Sequence, residues 1–301
     1  MNEDPESIQK KLERMVKKGL LMKKPGVVES EEQQYALLPT APGLWEVTFA
    51  KKEKNPQKER LARLWRDYYT SGWGKKMHER IKTPVMRVIP VKKSIPATIE
   101  VLSYEEVSEL LKTANFSAVL DCACRTAAEL AAEGCGRSTD VCLMFGEFAQ
   151  FLVETGRARQ IDHAEALRIL QKTEEEGLVH LTMNTRDVVL GICSCCTCCC
   201  TQLRAISYLS KPTAVATSRF TAQIDEDLCT GCETCIERCP VGAIEMAENI
   251  AEILKDKCIG CGLCVTTCSV EAIGLLERET YEKPVESIGK LMESIHSTET
   301  P

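Results

Sequence analysis

The strongest chemistry in this sequence lies in two short stretches. Residues 229–240 read Cys-Thr-Gly-Cys-Glu-Thr-Cys-Ile-Glu-Arg-Cys-Pro, and residues 258–269 read Cys-Ile-Gly-Cys-Gly-Leu-Cys-Val-Thr-Thr-Cys-Ser, so C-x2-C-x2-C-x3-C occurs twice with the second copy starting 29 residues after the first. Three cysteines at this spacing let one tight loop wrap three corners of an iron–sulfur cubane, while the fourth starts a segment that faces the other cubane. The expected partition is therefore crossed. Cluster one takes Cys229, Cys232, Cys235 and Cys268; cluster two takes Cys258, Cys261, Cys264 and Cys239. Gly231, Gly260 and Gly262 fall where backbone must bend closely round a cofactor. Zinc sites normally use two C-x2-C knuckles across a spacer, which is a different pattern.

Each repeat is flanked by strand-like pieces, TAQI and AIEM around the first and IAEIL and AIGLL around the second. With them, residues 220–277 resemble the bacterial dicluster ferredoxin fold, a duplicated β-α-β unit, and the resemblance implies two [4Fe–4S] clusters. Pro240 follows the family pattern after the fourth cysteine, whereas Ser269 departs from it.

Ten more of the 18 cysteines remain: Cys122, Cys124, Cys135, Cys142, Cys193, Cys195, Cys196, Cys198, Cys199 and Cys200. A free cysteine usually serves as a small buried hydrophobe, which suits Cys142 in VCLMFG. It does not account for CSCCTCCC, because packing has no reason to choose cysteine six times in eight. Metal binding is expected in this region, as one or two further iron–sulfur clusters held between the Cys122–Cys124 turn and the 193–200 run. If Cys196–Cys200 form a helical turn, Cys196, Cys199 and Cys200 share one face and Cys198 points elsewhere. Arg125 is expected beside such a cluster, offsetting thiolate charge and raising its potential. His180, in GLVHL, reads either as a satisfied core histidine or as a proton donor near that centre. DCACR, VCLMFG, EEGLVH and CSCCTCCC ahead of a dicluster module resemble a widespread group of anaerobe proteins known as 4Fe–4S ferredoxin-type. That resemblance spans most of the chain and implies a functional centre in the middle region, but no particular reaction.

Composition sets the context. Hydrophobic residues make up 44% and charged residues 27% of 301, enough for buried cores in a protein rather than for extended disorder. No run of 18 apolar residues occurs and no signal peptide is visible, so a cytoplasmic protein with reduced thiols is expected and no membrane span. Charge is divided: residues 1–95 hold 21 Lys+Arg against 12 Asp+Glu, and the rest hold 17 against 32. The two parts are thus expected to meet different surfaces.

The elements that must position these cysteines read as an α+β chain. Residues 6–24 form a basic amphipathic helix stopped by Gly19. VVES, EEQQ and YALLP form a hairpin, and GLWEVTF (43–49) a further strand. Helix plus hairpin resembles the second half of a winged helix, its recognition helix and wing. Residues 56–82 read as a helix, VMRVIPV (85–91) and ATIEVL (97–102) as strands, and Ser103–Glu106 as a capping box. SAVLD (117–121) is a strand leading into Cys122. Helices are expected over 126–134, 145–156 and from His163 to Gly177 behind an Asp162 cap, with LVHL and DVVLGI as strands and TQLRAISYL after the cysteine run. The expected division is 1–50 winged-helix-like, 51–95 basic helical linker, 96–212 cysteine-rich middle domain, 213–280 dicluster domain and 281–301 polar tail.

No G-x-G-x-x-G following a strand and no Walker A loop is present, so neither nicotinamide nor ATP has a recognisable place. Three functions fit, in this order. The first is an electron-transfer protein serving a redox partner, with acidic residues 225–256 offering a docking face to a basic surface. The second is a reductase whose ferredoxin module feeds a substrate-reducing middle-domain cluster. The third is a redox-responsive regulator using the basic N-terminus on nucleic acid. The sequence leaves donor, acceptor, substrate and oligomeric state open.

Overall fold

The computed structural model describes residues 4–23, 34–38, 43–99, 110–111, 114–187 and 189–296. The 103–106 capping box, VVES and the last part of ATIEVL lie outside these residues. Among the described residues no helix is long and apolar enough to cross a membrane.

Helix Pro5–Lys17 is capped by Asp4, whose carboxylate accepts the amides of Glu6 and Ser7, and the chain turns out of it at Gly19 with φ of 74°. Strands β1 (Leu21–Lys23) and β2 (Tyr35–Leu37) pair antiparallel, so the second strand falls on YALLP as expected, whereas the first lies in the stretch read as the end of the 6–24 helix, because the helix already stops at Lys17 before Gly19. The strand expected over GLWEVTF is instead helix Trp45–Phe49. Its apolar residues alternate and so read like a strand. In the folded chain Trp45 and Phe49 meet one helical turn apart, ring centroids 4.8 Å, and pack with Trp65 and Ala62 onto Ala123, Ala127 and Leu130. The 56–82 helix is present with a break. Pro56–Tyr68 runs through a widened turn, Tyr69–Trp73, into Gly74–Arg80, and Gly72 at φ 107° makes the kink.

The middle of the chain is organised by a six-stranded antiparallel sheet. It comprises β3 (Met86–Ile89), β4 (Ser117–Asp121), β5 (Asp140–Phe145), β6 (Arg159–Gln160), β7 (Val179–Met183) and β8 (Gly191–Cys195), in the order β3-β7-β8-β5-β4-β6. The two central strands are β8 and β5. Helices Ala123–Leu130, Gly146–Glu154, His163–Glu175 and Thr201–Ser207 cover it, the third capped by Asp162 onto the Glu165 amide as expected. Leu38, Val47 and Ala50 join Ala118, Leu120 and Met144 in one core cluster, so the N-terminal segment closes one face of this sheet. Arg157 fastens it, donating to the carbonyls of Lys17 (3.0 Å) and Val47 (3.3 Å).

The C-terminal unit pairs β9 (Phe220–Ile224) with β12 (Ile273–Glu277), and β10 (Ile244–Ala247) with β11 (Ile250–Ile253). All four strands fall on the pieces read from sequence. The 29-residue repeat reaches the backbone. Asp225 N donates to Ala272 O at 2.8 Å, and its equivalent Leu254 N donates to Ala243 O at 2.9 Å. Left-handed residues also recur in register: Gly231 with Gly260, Glu233 with Gly262, and Gly242 with Glu271. A final helix, Ile288–His296, buries Leu291.

Glu233 and Glu271 thus hold a conformation that their repeat partners leave to glycine, and an L-residue there costs roughly 1–2 kcal/mol. Glu233→Gly and Glu271→Gly are each expected to raise stability by up to about 1 kcal/mol after glycine's entropic cost. Anaerobic thermal denaturation of each variant beside the parent checks this; a lowered midpoint in both would contradict it.

Candidate metal centres

In the C-terminal unit the loops around the two repeats are bent by Gly231 (φ 66°), Gly260 (69°) and Gly262 (77°). The close approach is literal. A Cβ at Gly260 would stand 2.1 Å from the Phe220 carbonyl oxygen, and one at Gly231 2.4 Å from that of Asn249. The fourth cysteine of each repeat receives an equivalent amide. Ala243 N donates to Cys239 Sγ and Ala272 N to Cys268 Sγ, both at 3.2 Å.

The thiols fall into two neighbourhoods. Burial pushes the Cys235 thiol up, and the sulfurs acting on it are Cys229, Cys232 and Cys268. Burial lifts Cys261 to about 12, and its sulfur neighbours are Cys239 and Cys258. Cys239, Cys258, Cys261 and Cys264 line one cavity whose other walls include Ile244 and Ile253. A dry pocket ringed by four thiols, with backbone amides aimed at sulfur, is a donor set that fits a [4Fe–4S] cluster.

The ten remaining cysteines are gathered by the sheet. β4 ends at Asp121 and delivers Cys122 and Cys124. β5 carries Cys142 opposite Leu120, and β8 runs through Cys193 and Cys195 into the turn at 196–200. They form two groups. In the first, six thiols make a continuous chain of neighbours: Cys142 and Cys195 with Cys193, Cys122 and Cys200 with Cys124, and Cys195 with Cys200. Cys142 Sγ and Cys193 Sγ are 4.0 Å apart. Thiol-to-thiol contacts hold Cys193 and Cys124 well below the ordinary thiol range and keep Cys122, Cys142 and Cys200 above it.

In the second group, the sulfurs of Cys135, Cys196, Cys198 and Cys199 all lie within 4.8 Å of one another. This corrects the expectation that Cys196, Cys199 and Cys200 share a face with Cys198 apart. The 196–200 segment is a turn closed by Cys200 N to Cys196 O (3.2 Å), not a stretch of helix. It sends Cys198 to Cys196 and Cys199, and Cys200 to the other group.

Arg125 stands between the two groups. It is 1% exposed, with Nε donating to Ser138 O (2.7 Å) and Nη1 to Ser194 O (2.9 Å) and approaching Cys196 Sγ at 3.9 Å. Its Nη2 is buried without a hydrogen-bond partner. Burial alone would lower its pKa, but the sulfurs of Cys122, Cys196 and Cys195 outweigh burial and raise it. An unpaired cationic donor among buried sulfurs fits an anionic metal–thiolate centre. His180 is the satisfied core histidine, 3.3 Å from both Ser194 Oγ and Glu174 Oε1.

Two residues near these sulfurs escaped the sequence reading. Arg137 Nη1 lies 3.9 Å from Cys198 Sγ, and its place two residues after Cys135 was the available signal. Glu46, lifted to about 7 by burial although the Gly43 amide donates to it, feels Cys124 and Cys193. It sits 78 residues before Cys124 and carried no signal.

Comparison with known proteins agrees with the C-terminal unit. The family model for a 4Fe-4S dicluster domain matches residues 222–276. The chain is also 50% identical over 34 residues, 11% of its length, to an iron–sulfur subunit of the CoB–CoM heterodisulfide reductase of Methanopyrus kandleri. That match covers 5% of the relative. A dicluster domain carries two [4Fe–4S] clusters, and both findings support iron–sulfur electron transfer. The further cysteines, the 135/196/198/199 group among them, fit additional metal–thiolate centres.

Gly260→Ala is expected to displace the Phe220 carbonyl and lower iron by about four per chain, the content of one cubane. Gly274→Ala, where nothing lies within 4 Å, is expected to keep the full iron count. Iron and acid-labile sulfide assays on both variants check the pair.

Proposed function

We propose that this protein is an iron–sulfur electron-transfer component that passes single electrons between a redox partner enzyme and a middle-domain centre, by way of its dicluster module. The observation that carries the reading is a shared core. Cys261 of the second repeat packs in the same buried cluster as Cys195 and Cys200 of the six-thiol group, with Val88, Val179, Leu203 and Leu263 between and around them. When bound, the clusters supply the one-electron chemistry, with cluster one on Cys229, Cys232, Cys235 and Cys268 and cluster two on Cys258, Cys261, Cys264 and Cys239.

The chain's own residues fix the approach of the two units. Val91 N donates to Cys261 O (3.0 Å), Ser94 Oγ to Gly262 O (2.7 Å) and Ser218 Oγ to Gly260 O (2.7 Å). Arg238, next to Cys239, donates to Glu175 O (3.0 Å) and to Glu174 O at the end of helix His163–Glu175. Cluster two therefore faces inward while Cys232 of cluster one is exposed. That order supports entry of electrons from a partner at cluster one. The acidic stretch 225–256 carries Cys229, Cys232 and Cys235 of that cluster, and the short likeness to an iron–sulfur component of a reductase supports a redox-enzyme partner.

A second reading, a reductase that uses the middle-domain centre on a substrate, is favoured by one feature. A cavity of ≈ 90 Å³ is lined by Trp45, Trp65, Tyr69, Arg204, Cys124 and Cys199, so it reaches a sulfur of each thiol group. Aromatic walls with two arginines, Arg66 and Arg204, suit a small apolar molecule bearing an anionic end.

Anaerobically purified protein is expected to hold more than the eight irons of two cubanes. Cys195→Ser is expected to lower that count while leaving the EPR spectrum of the reduced dicluster module in place. Eight irons per chain, unchanged by Cys195→Ser, would remove the middle-domain centre from the route. A spectrum that shifts on adding small organic anions would move the weight to the reductase.

A further inference from the structure

The two thiol groups of the middle domain differ in a way that bears on what each can hold. Four thiolates on one tetrahedral ion at a metal–sulfur distance of ≈ 2.3 Å must stand about 3.8 Å from one another. Four thiolates on a cubane each cap a different iron, so they are held distinctly farther apart. The sulfurs of Cys135, Cys196, Cys198 and Cys199 all lie within 4.8 Å of one another, with Cys135–Cys196 at 4.0 Å and Cys198–Cys199 at 3.8 Å. The eight cysteines of the ferredoxin repeats supply an internal comparison. All are described, and none belongs to a quartet this tight; among the described residues the 135/196/198/199 group stands alone in that respect.

Charge points the same way. Two guanidiniums approach the quartet, Arg125 Nη1 at 3.9 Å from Cys196 Sγ and Arg137 Nη1 at 3.9 Å from Cys198 Sγ. A neutral thiol gives a cation little reason to be buried beside it. Four thiolates on a divalent ion carry a net charge of about −2, which two guanidiniums balance. Thiol packing alone leaves one more feature unexplained: Cys198 is exposed, which is a poor place for a small hydrophobe.

We propose that Cys135, Cys196, Cys198 and Cys199 form a mononuclear tetrathiolate site for one divalent metal ion of the zinc class, separate from the iron–sulfur centres. The donors are supplied by two segments, the loop carrying Cys135 after helix Ala123–Leu130 and the turn after β8. One ion there staples the loop to the turn. Since the same helix begins at Ala123 and the same turn ends at Cys200, the staple also sets Cys122 and Cys124 against Cys193, Cys195 and Cys200. The role is positional, and a closed four-ligand shell suits it. Iron(II) shares the donor preference, so the metal alone is the probe and the test distinguishes the two ions.

The experiment uses full-length protein purified without oxygen from cells supplied with both metals. Elemental analysis is combined with X-ray absorption at the zinc and iron edges. One zinc per chain, with a shell of four sulfurs and no neighbouring metal, is the expected result. One mononuclear iron, recognised by its visible thiolate charge-transfer band on oxidation, supports the same site with the other ion. Cys198→Ala alters an exposed position and is expected to weaken retention against a chromophoric chelator at least tenfold. Cys198→His, which keeps a fourth ligand, is expected to restore most of it. EPR of the reduced dicluster module reports that both variants are folded. Unchanged retention of the ion by Cys198→Ala against the chelator overturns the site. So does a metal–metal scattering path that vanishes with Cys198, because the quartet would then belong to a cluster.

Discussion

A guanidinium buried to 1% exposure among sulfurs is the interaction on which the middle domain turns. A lone buried cation is costly, and Arg125 satisfies only part of its donor set with the carbonyls of Ser138 and Ser194. The remainder faces sulfur, with Cys122 and Cys195 on one side and, on the other, Cys196, whose thiol is held down to about 4. Ligands and fold are therefore interdependent: Arg125 has no reason to be inside without thiolates, and so many thiolates have no reason to gather without positive charge. Helix Ala123–Leu130, which presents Arg125, is in turn held by the aromatic contacts of Trp45, Phe49 and Trp65 from the N-terminal part of the chain.

The C-terminal unit solves a similar problem by symmetry. Each repeat closes its own loop with left-handed residues and sends its fourth cysteine across, where an amide four residues on meets the sulfur. This works the same way whether the repeat carries glycine or glutamate at 233, 242, 262 and 271. Conformation in this unit is thus set by the requirement to wrap a cluster, and residue preference comes second. Cys261 then ties the unit to the sheet domain through the apolar cluster it shares with Cys195 and Cys200.

Much of this was legible in the residues, because local spacing carries local geometry. The eight repeat cysteines, the four flanking strands, SAVLD, the Asp162 cap and the Gly19 stop all depend on neighbours within a few positions. What was not legible depends on register between distant strands. Cys142 meets Cys193 because β5 lies beside β8, and nothing near either residue says so. Cys198 and Cys200 exchanged roles because the 196–200 segment closes as a turn at the end of a central strand, where a helical projection does not apply. GLWEVTF misled for the opposite reason. Its alternating apolar residues match a strand, but the surface they pack against is the side of a helix, and tertiary contact overrode local pattern.

The position of β8 has a consequence for how the protein is made. This strand is hydrogen-bonded on both sides, to β7 and to β5, and its last residues carry Cys193 and Cys195 of the six-thiol group. A chain that finishes synthesis before its metals arrive must bury uncompensated charge at the centre of its principal sheet, or leave that centre open to proteases. With the proposed metals on these thiols, loading and folding are coupled at β8, so the amount of this protein in a cell is expected to follow the supply of metal and sulfide rather than the rate of translation alone.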